Sequence, residues 1–156
     1  MSHRSVVTGF VLLIASTVGC GTDQINVTGG SMEQVRMFLE KGTHFYPMWN
    51  VRENGIQWLC EELRHAYDGT EAVYVHFDMD VIGGAGPAPG DLLGTIAEPI
   101  GITDYEVIRL SHEIGKRRLN ALSFICIPPG SAVVYRTVVY VIAYLLAGTL
   151  LASQKL

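Results

Sequence analysis

A chain of 156 residues, 49% hydrophobic and 17% charged, can fill one ordinary hydrophobic core, so we expect a single domain over residues 1–156. We do not expect a nucleic-acid partner, because the net charge is −4 and the sequence has no Lys/Arg cluster or aromatic ladder. The three cysteines, Cys20, Cys60 and Cys126, are odd in number and widely spaced, which argues against a disulfide framework and favours buried thiols in a reducing, cytoplasmic compartment.

The first apolar segment, residues 6–20, has two interpretations. Residues 11–18 are β-branched and aliphatic and end at Gly19-Cys20-Gly21, which is typical of a buried parallel strand followed by a loop. The same segment has the length of a signal-peptide core, and residues 17–20 approximate a lipoprotein cleavage box. An exported lipoprotein anchored through Cys20 is therefore the alternative to a cytoplasmic protein.

The next segments predict two helices separated by an aromatic stretch. Ser31 and Gln34 have capping-box spacing and predict a helix over residues 31–41. Residues 44–49 are aromatic and contain Pro47, which favours a short strand and a loop. Apolar residues then recur three and four apart over residues 53–67, which predicts an amphipathic helix.

Residues 72–80, AVYVHFDMD, are an apolar run that ends in two aspartates one residue apart. Because successive side chains of a strand point to opposite faces, His76, Asp78 and Asp80 share one face. Two such carboxylates can converge on one divalent cation or on a pair about 3.5–4 Å apart. The alternative is that each aspartate caps the following turn. At the end of a parallel strand the two acids would repel each other without a cation or protons, so we expect a metal site.

The loop over residues 83–101 is rich in glycine and proline and is long enough to be functional. It leaves the strand beside Asp80, so we expect it to cover the metal site. Glu98 is the one acid in its second half and is a candidate contact for a cationic substrate, or else a solvated surface carboxylate.

The last third of the chain predicts helix, strand and helix. Thr103 and Glu106 form a capping box that opens a helix to about residue 114, and residues 121–127 are the next buried strand. Residues 131–152 are apolar but carry Arg136, which costs at least about 2.5 kcal/mol inside a bilayer, so we expect a buried terminal helix and no membrane span. The alternation predicts an α/β fold with a mainly parallel sheet and flanking helices.

Several motifs resemble those of the ureohydrolases, the family of arginases and agmatinases. HFDMDVI at residues 76–82, Pro89-Gly90 and EPIGIT at residues 98–103 are similar to the family pattern S-F-D-I-D, a P-G loop and E-P-G-G-L-T. Residues 19–21 resemble its G-x-R-G, and residues 123–130 resemble its last strand. The resemblance implies an arginase-like three-layer fold of which this chain forms the C-terminal half, with the N-terminal part missing.

The resemblance also implies a reaction and a site. Family members hydrolyse a C–N bond of a linear amidine, a guanidino group, to urea and an amine, using hydroxide that bridges two Mn²⁺ ions. Carried over to this sequence, Asp78 and Asp80 are the expected metal ligands and catalytic residues, and Glu98 is the expected catalytic contact for the guanidinium. His76 replaces the usual Ser or Thr and is expected to contact the substrate, to add a nitrogen ligand, or to be a core histidine bonded to the backbone.

The expected ligand set is incomplete, because the family's G-G-x-H and D-A-H-x-D motifs do not occur in this sequence. Four of the usual six ligands are therefore absent, which predicts weak metal binding and an inactive chain unless something completes the site. Exposed strand edges and apolar faces predict a homo-oligomer. The alternatives are a metal-dependent glycosyltransferase-like enzyme that uses D-x-D, and a non-catalytic lipoprotein or interaction module with structural aspartates.

Overall fold

The structure is a computed structural model that describes residues 8–13, 17–18, 25–26, 36, 40, 44, 46, 48–69, 72–79, 82, 101–117, 119–127, 129–130 and 132–154. The strands are β1 (Thr8–Leu13), β2 (Thr17–Val18), β3 (Ile25–Asn26), β4 (Ala72–Asp78) and β5 (Ala121–Ile125). The helices are α1 (Met48–Glu62), α2 (Arg64–Tyr67), α3 (Asp104–Gly115) and α4 (Ala132–Ser153).

The central feature is a parallel sheet with strand order β1-β4-β5. β4 is the middle strand, and its odd-numbered residues Val73, Val75 and Phe77 are fully buried. Tyr74 and His76 alternate with them and are only partly buried. The period of two expected for a strand with two different faces is therefore present, and it places the hydrophobic core on the odd-numbered face. β2 and β3 pair separately as a short antiparallel ribbon.

Helices α1, α3 and α4 contribute to one core on that face. Cys60, Leu110 and Val141 come from these three helices and belong to the same buried cluster as Val75. The connections from β1 to β4 and from β4 to β5 step in the same direction across the sheet. Right-handed crossovers then put their helices on the same face, which explains why α1 and α3 share a core.

The contact between α3 and α4 depends on two glycines. A Cβ atom on Gly115 would lie 2.1 Å from the carbonyl oxygen of Leu145, and one on Gly148 would lie 2.3 Å from that of His112. The Thr149 hydroxyl also donates a hydrogen bond to the carbonyl of Gly115 at 3.1 Å. The two helix backbones therefore touch directly, at a distance that any side chain would prevent.

The α/β fold with a parallel sheet is confirmed, and so are most elements of the second half. The strand predicted over residues 72–80 is β4, and the strand predicted over residues 121–127 is β5. The expected burial of β5 is wrong, because its residues are partly buried or exposed. The capping box is present, because Thr103 Oγ1 accepts from the amide of Glu106 at 3.2 Å and Glu106 Oε2 accepts from the amide of Thr103 at 2.8 Å.

The first half differs from the prediction. Residues 11–18 do not form one strand, because β1 pairs with β4 from Thr8 to Leu13 and residues 17–18 belong to β2. The helix predicted over residues 53–67 begins at Met48 and is interrupted at Gly55, whose φ is 83°. Pro47 precedes its start, a place where proline is compatible with a helix, so the expected strand and loop over residues 44–49 are wrong at residues 48–49. The helix predicted over residues 31–41 lies largely outside the described residues.

The terminal helix is also less buried than predicted. Its buried residues form one stripe, Val134, Thr137, Val141, Leu145 and Gly148. α4 is long and apolar enough to cross a membrane by length and composition. Only 28% of its apolar 18-residue segment is buried in the structure. Composition alone could not distinguish a helix that is buried all round from one that is apolar all round and buried on one side.

Candidate functional site

Asp78 lies at the carboxyl end of the central strand. It is the last residue of β4 and is 4% exposed, which is unusual for an aspartate. Its neighbour in β5 is Ile125, whereas β1 ends one residue earlier, at the pair Leu13 and Phe77. The carboxyl group therefore stands at the C-terminal edge of a parallel sheet, where α/β proteins place their ligands.

A row of polar side chains precedes Asp78 on the same face. Nδ1 of His76 lies 2.6 Å from Oγ of Ser123, and the Tyr74 hydroxyl is hydrogen-bonded to the same oxygen. A serine hydroxyl can donate one hydrogen bond while it accepts another, so Ser123 can satisfy both partners. The histidine is therefore held by a side chain of β5 and not by the backbone, the alternative considered from the sequence.

The sequence reasoning missed Ser123 and Tyr74. Ser123 is the only hydroxyl-bearing residue of β5, and the register places it directly beside His76. Its polarity in an otherwise apolar strand was the available signal, but it became meaningful only once β4 and β5 were known to be adjacent.

The long loop begins and ends beside the tip of β4. Ile82 and Ile102 form a parallel bridge, and the amide of Ile82 donates to the carbonyl of Met79 at 3.2 Å. Nη2 of Arg52 donates to the carbonyl oxygen of Gly101 at 2.6 Å. These contacts hold Ile82 and Ile102 next to each other, close to the end of β4.

Arg52 also connects this region to α3. Its Nη1 atom lies 2.6 Å from Oε1 of Glu106, the residue of the capping box. Burial alone would raise the pKa of Glu106, but the hydrogen bonds from Thr103 and Arg52 and the Arg52 charge outweigh it, so the pKa is lowered from 4.5. Glu106 is therefore an ionised anchor for the loop end.

The expected metal site is only partly within the described residues. Asp78 and His76 are described, whereas Asp80 and Glu98 lie outside, so their roles stay predictions. No group of three or more His, Cys, Asp or Glu residues within the described part of the chain is arranged to hold a metal ion. The carboxylate of Asp78 is a hard oxygen donor of the type that suits Mn²⁺, but one such donor does not make a site.

The end of β5 carries an unusual backbone conformation. Cys126 has a φ of 55°, which few residues other than glycine adopt, and it directly follows the residue paired with Asp78. Backbone strain of this kind is common beside functional sites. The left-handed turn ends the strand at the edge where Asp78 lies.

The chain therefore has an α/β fold with a parallel sheet, and its candidate site lies at the carboxyl edge of that sheet, where Asp78 is buried. The model of the arginase family matches residues 8–148, and the chain belongs to that family. A comparison with curated protein sequences finds no match. The matched residues include β1, which lies in the first apolar segment.

Solved structures with the same fold include several ureohydrolases. A formimidoylglutamase from Bacillus subtilis has a TM-score of 0.74 at 18% identity, covering 94% of this chain and 54% of that one. An arginase from Entamoeba histolytica, in complex with L-ornithine, has a TM-score of 0.70 at 14% identity, covering 90% and 60%. A formiminoglutamase from Trypanosoma cruzi with Mn²⁺ has a TM-score of 0.65 at 16% identity, covering 76% and 40%. The chain thus spans between two fifths and three fifths of the length of these relatives.

Proposed function

We propose that this chain carries the carboxyl-edge part of a Mn²⁺-dependent hydrolase that cleaves a C–N bond of a guanidino compound and releases urea. The observation that supports this most directly is Asp78, a buried carboxyl at the end of the central strand in a family motif. Membership of the arginase family supports the reaction class and weakens the glycosyltransferase-like alternative.

In this proposal Asp78 and Asp80 hold the metal. Asp80 follows Met79 directly in the chain, and we propose that its carboxylate lies at the same edge as that of Asp78. A pair of divalent cations, when bound, lowers the pKa of water enough to supply hydroxide near neutral pH. The two aspartates together provide part of a ligand set, and a further chain or segment has to provide the rest.

Glu98 is the proposed contact for the cationic end of the substrate. Two residues, Pro99 and Ile100, lie between Glu98 and Gly101, so the covalent chain keeps the Cα atoms of Glu98 and Gly101 within about 11 Å. Gly101 is itself fixed by Arg52 beside the end of β4. In this proposal Glu98 lies near the metal ligands, where its carboxylate would orient a guanidinium for attack.

His76 is proposed to line the substrate side of this face. Its Nδ1 atom is occupied by Ser123, which leaves Nε2 as the ring atom available to a ligand. Orientation by a neighbouring hydrogen bond is how proteins usually fix a functional histidine. In this proposal Nδ1 holds the ring in place through Ser123, and Nε2 is the atom that contacts the substrate.

Metal binding is tested first, because it does not require activity. We expect the purified chain to bind Mn²⁺, followed by the electron paramagnetic resonance signal of the free ion, and Asp78→Asn to lose most of that binding. The matched control is Asp68→Asn, which also removes one negative charge, but from an exposed turn. Equal binding by the two variants would refute a ligand role for Asp78.

Activity is tested on agmatine, arginine, guanidine and a formimidoyl amino acid, with Mn²⁺ present. Release of urea from a guanidino compound supports the proposal, and release of formamide only would move the substrate class to that of the formimidoylglutamase relative. No product from any amidine, with Mn²⁺ bound normally, would identify an incomplete site. Stabilisation by a nucleotide sugar with Mn²⁺, and not by agmatine, would favour the glycosyltransferase-like alternative.

Cellular location and assembly remain proposals of the same kind. We propose a cytoplasmic protein that forms a homo-oligomer and binds neither nucleic acid nor a membrane. Mass spectrometry of the chain from its native cells would find residue 20 at the amino terminus if the exported lipoprotein alternative were correct.

A further inference from the structure

Helix α4 exposes large apolar residues along most of its length. Eight of its large apolar residues are between 39% and 63% exposed: Tyr135, Val139, Tyr140, Ile142, Tyr144, Leu146, Leu150 and Leu151. Exposed apolar residues that occur singly are normal, but a contiguous group of this size marks an interaction surface. The Tyr144 ring contacts the His112 ring of α3, and Tyr140 and Leu151 share its side of the helix. The other five residues lie away from α3, and we name these five the α4 surface: Tyr135, Val139, Ile142, Leu146 and Leu150.

The opposite side of α4 is fixed to the rest of the domain. Gly115 and Gly148 bring the backbones of α3 and α4 into direct contact, and Thr149 donates across the same contact to the carbonyl of Gly115. α3 carries charged residues close by, including Glu113, which forms ion pairs with Arg109 and Lys116. A helix held in this way cannot enter a bilayer on all sides without either breaking the contact or burying those charges. The α4 surface is therefore better suited to one-sided pairing than to a membrane span.

The α4 surface is just large enough for a specific dimer. A helix of 22 residues is about 33 Å long. If each of the five residues gives up on the order of 100 Å², one copy loses about 500 Å² and the pair buries about 1,000 Å². A total of about 1,000 Å² is the area that a biological interface has to reach.

The spacing and charge of the helix favour a second copy of itself. The α4 surface is a seam along one side of the helix, because its five residues follow one another at steps of four, three, four and four residues. The only charged residue of α4 is Arg136, so two copies bring almost no like charge together. A two-fold axis uses the same patch twice and needs no complementary partner.

We propose that the α4 surface is the dimer interface of this chain, paired with the α4 surface of a second copy about a two-fold axis. The proposal goes beyond the hydrolase proposal and does not rest on it, because no residue of the candidate site takes part. Ile142 lies near the middle of the seam, so it contacts its own counterpart whether the two helices run parallel or antiparallel.

The first experiment measures the mass of the 156-residue chain in solution by sedimentation over a wide range of concentration. We expect a dimer, and we expect Ile142→Glu to raise its dissociation constant about 100-fold or more. The substitution places a charge in the interface twice, and each copy is worth at least tenfold. The matched control is Tyr105→Glu on α3, which is 69% exposed and off the α4 surface, and which should leave the dimer intact.

A mixing experiment separates the interface from a folding defect. Ile142→Glu and Ile142→Lys should each be monomeric, and an equimolar mixture should regain a dimer that dissociates at high salt, since opposite charges then meet. Circular dichroism verifies that each variant is folded, and Leu150→Glu, at a more exposed position, provides a second disruption.

Three results would overturn the proposal. The wild-type chain could stay monomeric at every concentration, or its dimer could be unaffected by both Ile142→Glu and Leu150→Glu. A monomer that binds phosphatidylcholine vesicles, and loses that binding with Ile142→Glu, would assign the α4 surface to a membrane instead.

Discussion

The Oγ atom of Ser123 lies 2.6 Å from Nδ1 of His76 and so joins the two strands on the face that also carries Asp78. The same hydroxyl is bonded to Tyr74, so removing it takes one hydrogen bond away from each of two partly buried polar groups. We expect Ser123→Ala to lower the free energy of unfolding by about 1–3 kcal/mol, measured by urea denaturation.

Ser153→Ala is the control for this prediction. Its hydroxyl donates to the carbonyl of Leu150 at 2.7 Å on an exposed part of α4, so its loss should change stability by less than about 0.5 kcal/mol. Equal effects of the two substitutions would mean that the Ser123 contacts contribute nothing specific.

The Arg52 contacts predict a stability that depends on pH. Glu106 has a lowered pKa, so its contribution is fully present above its ordinary value of 4.5 and is lost as the pH falls through the lowered value. We expect Arg52→Met to cost about 1 kcal/mol at pH 7, since one exposed ion pair and one hydrogen bond to Gly101 are lost. Urea denaturation from pH 7 to pH 3 should show the difference from wild type becoming smaller, and a constant difference would exclude the ion pair as its source.

The close contact of α3 with α4 makes an unusual prediction for a helical glycine. Replacing glycine by alanine inside a helix normally stabilises by about 0.5–1 kcal/mol. Gly148→Ala should do the opposite, because the new methyl would lie 2.3 Å from the carbonyl oxygen of His112 and would push the helices apart. We expect a loss of about 1–3 kcal/mol in thermal or urea unfolding.

Ala143 offers the comparison within the same helix. It is exposed, so Ala143→Gly tests helix propensity without the α3 contact and should cost about 1 kcal/mol. If Gly148→Ala were stabilising by the same amount, the two backbones would not touch in solution.

How much could be predicted from the sequence depended on whether local signals were sufficient. The strand that ends at Asp78 and the cap at Thr103 were predictable, because alternation and capping act over a few neighbouring residues. The partnership of His76 with Ser123 was not, since it joins positions 47 residues apart and requires the strand order. The exposed side of α4 was missed for a related reason, as an apolar composition does not reveal how much of a helix the rest of the fold can cover.

We expect the thiol of Cys60 to be almost unreactive in the native protein. Cys60 is 1% exposed. Burial, and to a smaller extent the nearby negative charge of Glu113, raises the pKa of its thiol from 9.0 to about 11. The positive charges of Arg109, Arg117 and Lys116 act in the opposite direction but are outweighed. Two pKa units reduce the thiolate at pH 8 about 100-fold, and the thiolate is the form that reacts. Mass spectrometry of peptides after iodoacetamide treatment should find Cys60 modified at least about 100-fold more slowly than in urea-unfolded chain, where burial no longer acts. The partly buried Cys126 should be modified sooner than Cys60 in the native protein, and comparable rates at the two positions would show that the core around α1 opens.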